Sequence, residues 1–192
     1  MTTGTPELHV GIDYSLTSPA ITECLGEWKY ENVKHYCIVQ TDKQVEKWHS
    51  ASNIRVSKYP KYNTEMQRYC QLADWAVNSI VKFNNRPKTV FIEDYAYAAT
   101  GRVFTIGENM AILKYFLTDW GIRYQMVPPT VIKKYASGKG NANKELMHNS
   151  FMSDTRRNLT EEFQTKHDKN PVSDIVDSYW VCKYGYEYGK NT

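Results

Sequence analysis

Two short apolar runs, Leu8–Asp13 (LHVGID) and Thr89–Glu93 (TVFIE), each end in a carboxylate, and this constrains the fold of the 192-residue chain more than any other feature. Apolar, β-branched runs of this length read as short strands buried on both faces. An acid at the end of such a strand is costly to bury alone and needs a cation or a set of hydrogen bonds. If the two strands are neighbours, Asp13 and Glu93 meet at one sheet edge. Asp174 and Asp177 lie three apart at the start of a final helix, so they project from one face with Cβ atoms about 5–6 Å apart. That helix can bring both onto the strand-end acids.

The rest of the chain alternates strand and helix patterns. Pro19–Cys24 and Val33–Gln40 read as strands that form an antiparallel meander with Leu8–Asp13. Thr41–Asn63 is polar and basic and reads as a long loop with one helical turn. Apolar residues at three- and four-residue spacing predict helices over Thr64–Phe83 and Asn109–Trp120, with a loop rich in tyrosine and glycine, Asp94–Gly107, before the second. Ile122–Val127 reads as the next strand. Pro128-Pro129 opens a helical turn, Asn143–Phe151 is helical, Ser153–Asn170 is a polar excursion, and a last helix runs from Val172 to Tyr184. The expectation is one α/β domain over residues 1–192, with a central mixed sheet of five strands, a meander followed by parallel strands, flanked by helices.

Charge is uneven along the chain. Residues 1–32 hold Glu7, Asp13, Glu23, Glu27 and Glu31 against Lys29, whereas residues 33–62 hold six bases against Asp42 and Glu46. Residues 131–144 carry Lys133, Lys134, Lys139 and Lys144 and no acid. Basic surface around an acidic centre suits an anionic partner. The cysteines (Cys24, Cys37, Cys70 and Cys182) show no zinc spacing and read as reduced core thiols. No signal peptide or membrane-length apolar run is visible, so a cytoplasmic protein is expected.

A carboxylate cluster of this kind has one main chemical use. Hard oxygen ligands suit Mg²⁺ or Mn²⁺, and two such ions about 3.5–4 Å apart activate water and stabilise the leaving oxygen of a phosphodiester. Taken singly, each acid has a plainer reading: Asp13 as a turn residue, Glu93 paired with a lysine, Asp174 as a helix N-cap, Asp177 as a favourable first-turn acid. It is their order that points to one site.

With these residues assembled, the chain resembles the RuvC family of Holliday-junction resolvases, phage-type, in the RNase H-like superfamily. The resemblance runs from about Val10 to Tyr184. Gly11-Ile12-Asp13 looks like the family's first motif, Phe91-Ile92-Glu93 like the second, and Asp174-Ile175-Val176-Asp177 like the closing Asp-x-x-Asp. It implies an RNase H-like fold and two Mg²⁺ held by Asp13, Glu93, Asp174 and Asp177, with Mn²⁺ as a substitute. It implies basic contacts to phosphate from Lys133 and Lys144, with Lys134 and Lys139 close by on the DNA-binding surface and Lys144 in the catalytic set. It also implies a homodimer that cuts branched DNA without a nucleotide cofactor. An aromatic after the second acid would wedge the junction open, and here Tyr95 and Tyr97 flank the expected place. The chain departs from the family where Tyr14-Ser15 follow the first Asp in place of Pro-Gly.

Other readings remain open on sequence. An RNA/DNA-hybrid ribonuclease or a transposase-like nuclease would use the same acids. A non-catalytic junction-binding protein would have little use for all four. Actin-like phosphotransferases also begin Gly-Ile-Asp with a following Ser/Thr, but need two domains and a later Gly-rich loop that this chain lacks.

Overall fold

A computed structural model describes residues 6–48, 53–81, 87–95 and 103–189. Six strands, β1 (Leu8–Asp13), β2 (Ala20–Leu25), β3 (Val33–Val39), β4 (Ile54–Lys58), β5 (Thr89–Glu93) and β6 (Arg123–Val127), form one sheet in the order β4-β3-β2-β1-β5-β6. The first three pair antiparallel, while β4 on β3, β5 on β1 and β6 on β5 are parallel. The sheet therefore has six strands rather than the expected five. The extra one lies inside the segment read as a loop, where Ile54 and Val56 turn inward while Arg55 and Lys58 stay exposed or at the edge. The expected helical turn there is α1 (Asp42–Trp48).

Period-two alternation sorts the side chains of β1 and β5 to two faces. Leu8, Val10, Ile12, Val90 and Ile92 face a core built with α2 (Glu65–Ile80) and α3 (Val103–Asp119). In α2, Tyr69, Leu72, Ala73, Ala76, Val77 and Ile80 form the buried stripe, and the Thr64 side chain caps the first turn by accepting from Gln67 N. Helix α3 starts at Val103, six residues earlier than its apolar pattern suggested, so Phe104 and Gly107 are helical.

The opposite face carries α7 (Val172–Tyr188), buried continuously from Val172 to Cys182. A helix enclosed all round is a middle layer. It packs on β1, β2, β3 and β5 beneath, and on α4 (Pro129–Ser137), α5 (Lys144–Thr155) and α6 (Leu159–Phe163) above. Burying each of its large apolar side chains contributes on the order of 1.5–3 kcal/mol.

Glycine sets how closely α7 approaches. A Cβ on Gly11 would lie 2.1 Å from the backbone nitrogen of Cys182, so β1 and α7 touch backbone to backbone. A Cβ on Gly185 would meet the Phe91 ring at 2.3 Å. All four cysteines are free thiols, and Cys24, Cys37 and Cys182 are buried. Among the described residues no helix is long and apolar enough to cross a membrane.

Candidate active site

Strand register brings the first two acids together. Gly11 pairs with Phe91 and Ile12 with Ile92 in parallel, so the next residues, Asp13 and Glu93, end side by side on the α7 face. Helix α7 runs antiparallel to β1, since Cys182 lies on Gly11 while Tyr186 reaches back to His9 at 4.7 Å between ring centroids. From the Gly11–Cys182 contact, two residues up β1 rise about 6.6 Å and five residues back along α7 about 7.5 Å. Asp177 therefore stands level with Asp13.

Asp13, Glu93 and Asp177 each offer a carboxylate oxygen, and these atoms lie within 4.8 Å of one another. Asp174, one turn earlier on α7, lies outside that trio but is buried and electrostatically joined to it. Its carboxylate is held locally. Ser173 Oγ donates to it at 3.3 Å, and with the Asn170 amide turned to face it, Asn170 donates at 2.9 and 3.2 Å while accepting from Ser18 Oγ at 2.7 Å. Sequence reading missed Asn170 and Ser18.

The electrostatics are those of a site short of positive charge. Burial, then the neighbouring Glu93 and Asp177, raises the Asp13 pKa well above the carboxylate range. Burial, then Asp177, pushes Glu93 up to about 7 and Asp174 likewise to about 7. Asp177 is raised by burial, against the pull of Lys144. The Lys144 ammonium donates to Asp177 Oδ2 from the first turn of α5, where Asn143 Oδ1 caps the helix by accepting from Leu146 N at 2.9 Å. Lys133 on α4 is partly buried and lowers the pKa values of Glu93 and Asp177.

The other predicted residues stand farther out. Lys134 and Lys139 are exposed on and just after α4, without an ion pair among the described residues. Tyr95 is half-buried beside the site, in the cavity that Asp13 and Glu93 line. Tyr97 lies outside the described residues.

The donor set suits a divalent cation: three oxygen ligands from three separate elements, spaced to converge, with protonation or a cation as the only ways to relieve their repulsion. Asp13, Glu93 and Asp177 could hold such an ion, and Asp174 adjoins them.

No protein-family model and no curated protein matches the sequence. Solved structures do match. The chain is similar to the structure of Thermus thermophilus RuvC, with 15% identity and a TM-score of 0.57 over 95% of this chain and 96% of that one. It is also similar to T. thermophilus RuvC in complex with a Holliday-junction substrate, with 11% identity and a TM-score of 0.62 over the same shares. The chain thus has the RNase H-like fold of RuvC, with one more strand than the five expected.

Proposed function

We propose that the chain is a metal-dependent endonuclease that resolves four-way DNA junctions, working as a homodimer in the cytoplasm in DNA recombination and repair. The observation that carries this reading is the convergence of Asp13, Glu93 and Asp177 beside Lys144, on a fold shared with a protein solved on a Holliday junction. Asp13, Glu93, Asp174 and Asp177 are the residues that would hold two Mg²⁺, with Mn²⁺ as a substitute. Bound there, the ions supply an activated water and charge stabilisation at the leaving oxygen.

The protein's own groups do the rest. Ser173 and Asn170 fix the Asp174 carboxylate, and the Gly11–Cys182 contact fixes the height of Asp177. Lys144 balances Asp177 in the free protein and has further N–H donors to offer a phosphate oxygen. Lys133, Lys134 and Lys139 extend positive charge from the cluster along α4, where they meet backbone phosphates without reading sequence. Tyr95, half-buried beside the acids, would stack on an unpaired base of the junction, a part the resemblance also gives to Tyr97. A four-way junction exchanges two equivalent strands, so symmetric cutting calls for two sites, which a two-fold dimer supplies.

The test is cleavage of a synthetic four-way junction with and without Mg²⁺, beside a linear duplex and an RNA/DNA hybrid. Paired Mg²⁺-dependent cuts confined to the junction are expected. Preferential cutting of the hybrid, or a protein that stays monomeric on junction DNA by light scattering, overturns the reading.

A further inference from the structure

Helix α1 and strand β4 lie within the basic stretch 33–62, and the chemistry above leaves them without a task. Both reach the sheet edge that holds the acids. Strands β3 and β4 run in the direction of β1, so Lys58 ends β4 where Asp13 ends β1. Across the sheet Asp13 pairs with Ala20 and Ala20 with Cys37, whereas Lys58 pairs with Val39, two residues farther on. Three strand spacings of ~4.8 Å and two residues of rise put the Lys58 and Asp13 backbones about 16 Å apart. Ile54 and Val56 face the α7 core, so alternation turns Lys58 to the same face as Asp13.

Bonds to the loop after Asp13 fix this spacing. The Leu16 carbonyl accepts from the Tyr59 hydroxyl at 2.5 Å and from the Arg68 guanidinium at 2.8 Å. The Thr17 carbonyl accepts from the Gln40 amide, just after β3, at 2.6 Å. The surface held there is basic. The Lys58 ammonium lies 2.5 Å from Asp42 at the start of α1, beside exposed Lys43, and exposed Lys61 follows three residues on. Asp42 and Glu65 hold Lys58 and Arg68, while neither Lys43 nor Lys61 makes an ion pair among the described residues.

We infer that Lys43, Lys58 and Lys61 bind backbone phosphates of a duplex arm, half a helical turn from the scissile phosphate. The inference rests on the nuclease reading above and adds a second, remote contact to it. Lys133 lies on the helix that follows β6, on the other side of the acids, so positive charge flanks the site along one sheet edge. A duplex laid along that edge meets both flanks at once. A displacement of about 16 Å along its axis is about four to five base pairs, close to half of a ~34 Å turn. Half a turn brings the complementary strand round to the protein, so the lysines meet that strand and not the cut one. Ammonium groups on flexible stems suit phosphate and give no base preference.

The test measures binding, with Ca²⁺ in place of Mg²⁺, to junctions carrying one uncharged methylphosphonate at a time along each strand. The wild type should lose on the order of threefold to tenfold in affinity at a short tract of the complementary strand, about four to five base pairs from the cut. The triple variant Lys43→Ala, Lys58→Ala, Lys61→Ala should bind more weakly, with a salt dependence lower by about two to three units. It should be indifferent to methylphosphonates in that tract. Only exposed side chains change, and each comparison is made between DNAs on one preparation. Absence of such a tract, a tract confined to the cut strand, or one that the triple variant keeps overturns the inference. A lysine-dependent tract without cleavage in Mg²⁺ would keep the arm contact and sink the nuclease. Cleavage without the tract would do the reverse.

Discussion

Two buried polar clusters lie on α7 at successive residues, and they are built on opposite principles. Ser178 belongs to a neutral chain: its hydroxyl donates to Ile175 O at 3.0 Å and lies 2.8 Å from Thr22 Oγ1, which is 2.9 Å from His35 Nδ1, while the Tyr30 hydroxyl is 3.2 Å from His35 Nε2. One assignment satisfies every group. Tyr30 donates to Nε2, Nδ1–H to Thr22, Thr22 to Ser178, and Ser178 to the helix carbonyl. Burial, then the Arg157 charge, lowers the His35 pKa to about 3, so the ring is neutral. Asp177, one residue earlier, faces the other way and finds like charges. Burial and then the Asp177 charge raise its neighbours Glu93 and Asp174, and burial, then Glu93, Asp177 and Asp174, raise Asp13. Satisfied polar groups specify where a helix sits, whereas crowded carboxylates cost stability that a structural role does not repay. The contrast is the physical reason to assign function to one cluster and architecture to the other.

The largest effect should come from removing one charge of the crowded cluster. Asp13→Asn or Glu93→Gln should abolish junction cleavage, yet bind junction DNA as well as or better than the wild type, because each removes a metal ligand and one repulsion of phosphate. Cleavage and gel-shift assays on the same preparations check this. Near-normal cutting by Asp13→Asn would end the metal-site reading.

The clusters should also respond to pH with opposite sign. Glu93 and Asp174 have folded pKa values near 7 against ordinary values of 4.5 and 3.8, so the folded chain keeps protons that the unfolded chain has released. Their contribution to metal-free stability therefore falls as pH rises from about 4 to 7. His35 refuses until about pH 3 a proton that the unfolded chain accepts near 6.5, so its contribution falls as pH drops through that window. Denaturation at a series of pH values should show Glu93→Gln gaining on the wild type between pH 4.5 and 7 by on the order of 3 kcal/mol, the worth of a shift of about two units. Mg²⁺ should stabilise the wild type more at pH 7.5 than at pH 5, since ligands bind as anions. A stability difference flat with pH would show that the carboxylates are not crowded.

Breaking the neutral chain is a smaller perturbation. Thr22→Val keeps shape but leaves Nδ1–H of His35 buried without an acceptor, which should cost about 1–3 kcal/mol in chemical denaturation. Junction cleavage per folded molecule should change little, in contrast to the acid variants. Lost cleavage at full stability would make this chain part of the active site.

How much of this was legible depended on sequence distance. The strand-end acids could be read because a carboxylate closing an apolar run is costly, and the parallel register then aligned them without further information. Gly11 was quoted within a motif, but its reason, backbone contact with Cys182, needs the partner helix to be in place. Strand β4 was hidden because five residues with two inward side chains sit in a basic stretch whose composition signals a loop. Asn170 and Ser18 are 152 residues apart, and only the fold joins them at Asp174. Asn109 was read as the first residue of a helix; the signal available was a polar residue in step with Ile106, Met110 and Leu113, which places it on a buried stripe instead.

The smallest effect concerns Lys144, the one cation bonded to the crowded cluster among the described residues. It relieves Asp177 from one side and so competes with any metal for the same carboxylate. Lys144→Ala should therefore tighten Mg²⁺ binding a few-fold in titration calorimetry, since the ligand set gains negative charge. The same variant should weaken junction affinity equally for every arm sequence and lower the salt dependence by about one unit, as loss of a single phosphate contact requires. Lys139→Ala, at an exposed lysine that is not among the charges shifting the acids, should reproduce the change in salt dependence and leave Mg²⁺ affinity alone. If both lysines behave alike toward Mg²⁺, Lys144 is one more surface charge and the crowded cluster is relieved by something else.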